Sequence, residues 1–214
     1  MTNDEKAHLQ GLGVFTIDDS RRSPVPRLLH SRLLALILPP CKKKCMKILM
    51  VCLGNICRSP LAEGVLKHKA KAAGLDWTVD SAGTNGYHVG EAPHTLSQKV
   101  ARLNGIDICE QRARRFVKED FDRYDIIYAM ADDVLDDMRR IARHHYDEQK
   151  ARLFLEELYP GEGRSVPDPW YGTEPGYHEV YKLIDKACDK IIANHTPPAP
   201  KGELSSRTKA HDSK

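Results

Sequence analysis

The chain has 214 residues, of which 41% are hydrophobic and 29% charged, an ordinary balance for one globular domain with a core. Its net charge of +3 is too small for a strong nucleic-acid-binding surface, and the basic excess lies in the flanks: residues 1–46 carry +4, residues 47–194 carry −3 and residues 195–214 carry +2. No run of about 18 apolar residues occurs, so no membrane span is predicted. Six cysteines in so long a chain indicate a reducing compartment rather than a disulfide scaffold.

The two ends of the chain differ from its centre. Residues 1–45 mix polar, basic and proline residues without a sustained period, and we expect a disordered leader or an extension from an upstream start codon, with Met46 as the true start. The apolar run 33–38 is short for a signal peptide, so a cytoplasmic location is expected and secretion through the leader ranks second. Residues 195–214 predict a disordered tail. The folded domain should span 46–194.

Within that span, apolar runs alternate with amphipathic segments. We expect Ser59 to cap the first helix and Pro60 to lie in its first turn. The alternation predicts a single α/β domain with an open parallel sheet and helices on both faces, in which ligands bind at the carboxyl ends of the strands. Strands are predicted at 47–53, 77–81, 125–130 and 151–155, and helices at 59–74, 93–104, 118–124, 132–145 and 174–194.

The string VCLGNICRSP, between the first strand and the first helix, is suited to hold an anion. A loop that enters a helix turns its backbone N–H groups inward, and the helix dipole adds positive potential. Gly54 lets the chain bend close to a ligand, and Asn55 tolerates left-handed backbone angles. Arg58 presents a planar fork that matches two phosphate oxygens. The sequence therefore predicts a phosphate cradle here.

Cys52 opens this cradle, so the same field favours its thiolate. A thiolate that faces a bound phosphoryl group is placed for nucleophilic attack. Ser59 is expected to donate a hydrogen bond to the Cys52 sulfur and stabilise it as a leaving group. The residues expected to bind phosphate are Leu53, Gly54, Asn55, Ile56, Cys57, Arg58 and Ser59.

The loop in this strand-to-helix setting resembles that of the low-molecular-weight protein tyrosine phosphatases. The segments DSAGT at 80–84, KEDF at 118–121 and VPDPWYG at 166–172 are similar to the family's, in the same order. The resemblance covers about 47–194. It implies a four-stranded parallel sheet of the phosphotyrosine phosphatase I-like type, a Rossmann-like or flavodoxin-like arrangement.

The resemblance also implies the roles of the catalytic residues in hydrolysis of protein phosphotyrosine. Cys52 would form a phosphocysteine intermediate, and Arg58 would bind phosphate and stabilise the transition state. Asp168 would protonate the leaving phenol and then activate water, and a carboxyl group on a Pro/Gly loop at the mouth of the sheet can reach the leaving oxygen. No cofactor and no metal are implied.

Further residues follow from the same resemblance. Ser81 would hydrogen-bond Asn55 and hold the shape of the loop. Cys57 would be able to form a reversible disulfide with Cys52 after oxidation. Position 56 is similar to that of the family's phosphotyrosine enzymes, because it holds isoleucine. The family's phosphoarginine enzymes have threonine at this position. The walls of the slot for the flat ring would be Tyr87, Trp170 and Tyr171, with help from Leu53.

Two positions depart from the family's pattern. Gln111 stands where a histidine commonly supports the phosphate loop, and Ala131 stands where aspartate commonly follows methionine. Neither departure touches the nucleophile, the arginine or the acid, but both put the network that supports the loop in question. The expected partner is a phosphotyrosine protein, by family analogy a bacterial tyrosine kinase, and the protein is expected to be a monomer.

Three alternative functions stay open. Arsenate reduction on the same fold would need further cysteines such as Cys109 to relay a disulfide, and would leave Asp168 without a purpose. A catalytically silent phosphoprotein-binding domain would form no phosphocysteine. A zinc-binding module would use thiolates without the usual paired spacing, namely Cys41, Cys45, Cys52 and Cys57.

Overall fold

The computed structural model describes residues 45–196. Four strands form one parallel sheet in the order β2-β1-β3-β4, which confirms the predicted sheet. Residues 1–44 of the predicted leader, which include the apolar run 33–38 and Cys41, lie outside the described residues, as does the tail from residue 197 onward. The strands are β1 (Met46–Cys52), β2 (Trp77–Gly83), β3 (Ile126–Ala129) and β4 (Ala151–Leu153).

Helices cover both faces of this sheet, as predicted. Alternate residues of β1 point to opposite sides: Ile48 packs in a core with α1 and α5, and Leu49 packs in a second core with α4. Because both faces are covered, β1 is apolar almost throughout. The helices are α1 (Arg58–Ala72), α2 (Thr95–Leu103), α3 (Asp120–Arg123), α4 (Asp132–Ala142) and α5 (Glu174–His195).

Several element boundaries differ from the predictions by one to three residues, and three of these differences have a clear physical reason. The prediction that Ser59 caps α1 was wrong, because the helix begins at Arg58 and the Ser59 side chain faces the preceding loop. Strand β2 continues to Gly83, since its parallel pairing with β1 runs to the end of β1. Helix α4 ends at Ala142, where Arg143 adopts a φ of 51°, and a 3-10 turn follows.

The strand order places the loop after β1 at the centre of the sheet. β1 lies between β2 and β3, so the connections on its two sides run in opposite directions and leave a crevice at the carboxyl end of β1. Within residues 45–196, no helix is long and apolar enough to cross a membrane. Over the same range, no group of three or more His, Cys, Asp or Glu side chains is arranged to hold a metal ion.

Candidate active site

The phosphate loop, residues 52–59, begins with a buried thiol at the end of β1. Cys52 is 3% exposed, and its Sγ accepts a hydrogen bond from the backbone N–H of Asn55 at 3.2 Å. The Ser59 hydroxyl oxygen lies 3.0 Å from the same sulfur. Two donors therefore converge on the sulfur from within its own loop, an arrangement that stabilises negative charge on it.

Asn55 holds the loop in shape from its centre. Its backbone adopts a φ of 56°, a left-handed angle that asparagine tolerates better than most residues. The side-chain Nδ2 donates to Ser59 Oγ and to Ser81 Oγ, both at 2.9 Å. The Oδ1 accepts from the backbone N–H of Arg114 at 2.9 Å. The strained angle is thus supported by one bond within the loop and by bonds to two separate segments of the chain.

The direction of these hydrogen bonds is set by a buried carboxylate, Glu63 on α1. Ser81 Oγ donates to Glu63 Oε2 at 2.6 Å, so this hydroxyl can only accept from Asn55. Ser59 also accepts from Asn55, and its own hydrogen faces the Cys52 sulfur at 3.0 Å or the Ala82 carbonyl at 3.4 Å. The shorter contact favours the sulfur. The chain of bonds from Glu63 therefore ends in a donor to Cys52.

Sequence reasoning missed Glu63. Its spacing of four residues from Ser59 puts both on one face of α1, and this pattern could have revealed it. Burial raises the pKa of Glu63, while Lys67, whose Nζ lies 2.5 Å from Oε1, and the Ser81 hydroxyl oppose that rise.

Gly83, at the end of β2, lies directly beneath the phosphate loop. A Cβ atom built on this residue would lie 2.9 Å from the Leu53 carbonyl oxygen and 3.0 Å from the Asn55 nitrogen. Both contacts are with backbone, which cannot turn aside as a side chain can. Glycine at this position therefore lets the strand support the loop at close range.

Arg58 joins the phosphate loop to the acid loop, residues 166–173. Its Nη2 lies 2.6 Å from Asp168 Oδ2, and its Nη1 donates to the Val166 carbonyl at 3.3 Å. The Nε is buried and has no hydrogen-bond partner among the described residues. Asp168 Oδ1 also accepts from the Trp170 N–H at 3.1 Å, so this carboxylate both begins a turn and meets the guanidinium.

One open cavity of about 170 Å³ brings most of the predicted site residues together. Asn55, Ser59 and Ser81 are buried and do not line it, and neither does Tyr87, which is 85% exposed. Asn85 and His88, which sequence reasoning missed, line it instead. The lining residues are Cys52, Leu53, Gly54, Asn85, Ile56, Cys57, Arg58, His88, Asp168, Trp170 and Tyr171.

Comparison with known proteins decides the family. The model of the low molecular weight phosphotyrosine protein phosphatase family matches residues 47–197. The chain belongs to this family. The phosphatase of that name from Schizosaccharomyces pombe is 38% identical over 146 residues, covering 66% of this chain and 92% of the relative. The low molecular weight protein-tyrosine-phosphatase YfkJ of Bacillus subtilis is 35% identical, covering 70% and 95%.

Solved phosphatases share the fold. The crystal structure of YfkJ from Bacillus subtilis matches with a TM-score of 0.66 at 32% identity, over 72% of this chain and 96% of that one. Vibrio vulnificus Wzb, solved in complex with benzylphosphonate, matches with a TM-score of 0.63 at 27% identity, over 71% and 99%. These matches confirm the fold that the sequence resemblance implies.

The departures from the phosphatase family's pattern lie beside the site rather than in it. Gln111 lies against α1 near Gly64, and its buried Oε1 has no hydrogen-bond partner among the described residues. Ala131 precedes α4 without a side-chain cap, and Ser165 accepts from the N–H of Asp132 at 3.0 Å. In this phosphatase the phosphate loop is supported from Glu63, through Ser81, and from the Arg114 N–H.

The remaining cysteines differ from Cys52. Cys57 is buried next to the Tyr177 hydroxyl at 3.7 Å, and burial raises the pKa of its thiol to about 12. Cys109 is half-buried beside Glu110 and does not line the cavity, although arsenate reduction would need a relay there. Cys45 is exposed, whereas Cys52 and Cys57 lie buried in the phosphate loop.

Proposed function

We propose that the protein hydrolyses phosphotyrosine in proteins through a phosphocysteine intermediate. The observation that carries this proposal is that the Cys52 sulfur, the Arg58 guanidinium and the Asp168 carboxyl group line one cavity at the carboxyl end of β1. These three groups are a nucleophile, an anion-binding fork and a proton donor. Their combination matches what transfer of a phosphoryl group from an aryl ester requires.

In the first step, phosphate oxygens are bound by the loop N–H groups and by Arg58, whose unpartnered Nε is a donor suited to an oxyanion. The Cys52 thiolate attacks phosphorus and the bond to the phenol oxygen breaks. Asp168, released from Arg58 and entering this step as the neutral carboxylic acid, gives its proton to that oxygen and becomes a carboxylate. The products are the free phenol and a phosphocysteine.

In the second step, the Asp168 carboxylate takes a proton from water as the water oxygen attacks phosphorus. The phosphorus–sulfur bond breaks, phosphate leaves and the electron pair returns to sulfur. The N–H of Asn55 and the hydroxyl of Ser59 stabilise that sulfur as a leaving group, because both lie within hydrogen-bond distance of it.

Three features support an aromatic substrate. The thiol is buried, whereas the rim of the cavity carries Trp170, Tyr171 and Leu53, so a long flat side chain reaches sulfur more readily than phosphoserine. A cavity of roughly 150 Å³ can hold benzene, and this one has about 170 Å³. Several relatives are named phosphotyrosine phosphatases. The bacterial tyrosine kinase substrate, the monomeric state and the cytoplasmic location stay predictions.

The test compares hydrolysis rates on matched phosphotyrosine, phosphoarginine and phosphoserine peptides. We expect phosphotyrosine to be preferred by at least about 100-fold, and an acid quench during turnover of ³²P-labelled substrate to trap label on Cys52. Cys52→Ser should lower turnover by at least about 10³-fold. Cys109→Ala, the matched control, should keep wild-type turnover. Near-normal turnover in Cys52→Ser, or preference for another phosphoamino acid, would contradict the proposal.

A further inference from the structure

His94, at the N-terminus of α2, joins the phosphate loop to helix α2. Its backbone N–H donates to the Ile56 carbonyl at 2.7 Å. Its Nδ1 accepts the N–H of Leu96 at 3.3 Å and so caps the helix. This residue is therefore fixed by main-chain bonds on one side to the phosphate loop and on the other to α2.

The imidazole ring of His94 extends this connection to the acid loop. It stacks on the Tyr177 ring of α5, with centroids 5.3 Å apart and planes 15° apart. Its other neighbour is Trp170, whose ring meets it edge-on at 5.5 Å. The backbone N–H of Trp170 in turn donates to Asp168 Oδ1 at 3.1 Å. A continuous series of contacts thus runs from Ile56 through His94 and Trp170 to Asp168.

We propose that His94 is a positioning residue for the general acid: its ring is the fixed surface against which Trp170 rests, and this contact sets where Asp168 lies relative to Cys52. The inference rests on the proposed function of this site. His94 itself does not line the cavity and does not reach the reacting atoms.

The contact between the His94 ring and Trp170 matters because few main-chain hydrogen bonds hold the middle of the acid loop. The backbone N–H of Val166 donates to the Met130 carbonyl at 2.7 Å at one end of the loop. Among the described residues, the N–H of Gly172 donates only to the Pro169 carbonyl, within the loop, at 2.9 Å. Between them, the side chains of Trp170 and Tyr171 are 42% and 95% exposed. The ring contacts of Trp170 therefore constrain the middle of the loop beyond what main-chain bonds provide.

Trp170 has a second imidazole neighbour, His88, at 5.7 Å. That ring is bonded to Glu91 at 2.9 Å within its own loop and lines the cavity. Among the described residues, no hydrogen bond joins His88 to the phosphate loop, whereas the backbone N–H of His94 donates to Ile56 in that loop. We therefore assign the positioning role to His94.

Two substitutions distinguish the role of the His94 ring, which contacts Trp170, from the role of its Nδ1, which caps helix α2. His94→Asn keeps an acceptor that suits an N-cap but removes the ring, whereas His94→Phe keeps a ring that can stack but removes the acceptor. His68→Asn is the matched control, since His68 is an exposed histidine on α1 outside the site. The cap alone and the ring alone can thus be compared in the same protein.

The kinetic readout is the ratio of kcat/KM on phenyl phosphate to kcat/KM on p-nitrophenyl phosphate. Phenol is the poorer leaving group and depends more on proton donation, which is worth about 10²–10⁴-fold. His94→Asn should lower this ratio about tenfold, since the acid is displaced rather than removed. His94→Phe and His68→Asn should leave the ratio within about twofold of wild type. An unchanged ratio in His94→Asn, or equal losses in His94→Asn and His94→Phe, would overturn the inference.

A second readout does not depend on turnover. The chain has two tryptophans, so Trp77→Phe leaves Trp170 as the reporter of the acid loop. In that background, acrylamide should quench Trp170 fluorescence more strongly in His94→Asn than in His94→Phe. Equal quenching in the two would overturn the inference. If turnover survived in Cys52→Ser, the proposed function would fail, and the quenching comparison would still decide whether His94 holds Trp170.

Discussion

The phosphate loop and the acid loop, which supply the nucleophile and the acid in the proposed mechanism, are held in opposite ways. The phosphate loop is almost entirely buried and is tied through Asn55 to two other segments, at Ser81 and Arg114. The acid loop carries exposed side chains and meets the rest of the site through Arg58 and the ring of Trp170. In the proposed mechanism, the nucleophile must keep one geometry, whereas the acid must serve a phenol in one step and water in the next. The difference in anchoring follows this difference in task.

The strongest test of this comparison removes the proton from the acid loop without changing its shape. Asp168→Asn keeps an oxygen that can accept the Trp170 N–H but cannot donate a proton as a carboxylic acid does. We expect kcat/KM on phenyl phosphate to fall by about 10²–10⁴-fold, and on p-nitrophenyl phosphate by much less. Steady-state rates across a series of aryl phosphates measure this. Equal losses on all leaving groups would mean that Asp168 only shapes the loop.

The next test displaces the phosphate loop, the more firmly held of the two loops. Gly83→Ala places a methyl group against the backbone of Leu53 and Asn55, and we expect kcat to fall by about 10²-fold because the loop must shift. Gly86→Ala is the matched control, since its added Cβ would meet only the Arg115 side chain at 3.9 Å. Gly86→Ala should keep wild-type rates. If Gly83→Ala were as active as Gly86→Ala, the phosphate loop would tolerate displacement.

A third prediction concerns the pH dependence of stability in the network below the phosphate loop. Because burial raises the pKa of Glu63, the folded state holds its proton where the unfolded state has lost it, from the ordinary value of 4.5 upward. Its contribution to stability is therefore present at low pH and declines as pH rises through that window. The difference in unfolding free energy between wild type and Glu63→Gln should shrink as pH rises, which urea denaturation at several pH values measures.

Asp80→Asn is the matched variant with the opposite sign. Although burial acts against it, hydrogen bonds from Tyr124 and the Ser81 N–H, with the charge of Arg114, lower the pKa of Asp80 below its ordinary 3.8. Its contribution is present above 3.8 and is lost as pH falls through the lowered value. The difference between wild type and Asp80→Asn should therefore grow as pH rises. Two differences that moved in the same direction would contradict this account.

The smallest effect is expected at Cys57, the second cysteine of the phosphate loop. Cys57→Ala should change kcat/KM by less than about threefold, because a thiol of pKa about 12 is protonated at neutral pH and is no nucleophile. Iodoacetamide at limiting concentration should label Cys52 and spare Cys57, as peptide mass spectrometry would show. Preferential labelling of Cys57 would contradict the contrast between the two sulfurs.

Much of the fold was predictable because it depends on local patterns. Continuous apolar runs predicted the buried strands of a covered parallel sheet, and helical periodicity predicted the helices. The errors lie at the ends of elements. Ser59 has the chemistry of an N-cap, but its hydroxyl is used by Cys52 and Asn55. Arg143 gives no local sign of the left-handed angle that ends α4.

The site also has a part that could be predicted from local sequence and a part that could not. The Cys52-to-Arg58 segment is contiguous, so the physical chemistry of a strand that turns into a helix was enough to predict a phosphate cradle. Asp168 lies 110 residues from Arg58. The local sequence around Asp168 predicted only that it begins a turn, and its role as the acid came from the family resemblance. Tyr87 was expected in the wall, but the structure places His88 there.

The sequence by itself determined the α/β order, the cradle and its thiol, because each depends on residues within a few positions of one another. Only the tertiary structure decided what holds that cradle, namely Gly83 against its backbone, Glu63 behind Ser81 and the Arg114 N–H on Asn55. It also decided the contact of His94 with Trp170 in the acid loop. These contacts join segments far apart in the chain. They exist because parallel strand register and helix packing bring those segments to one edge of the sheet, and no local pattern encodes that register.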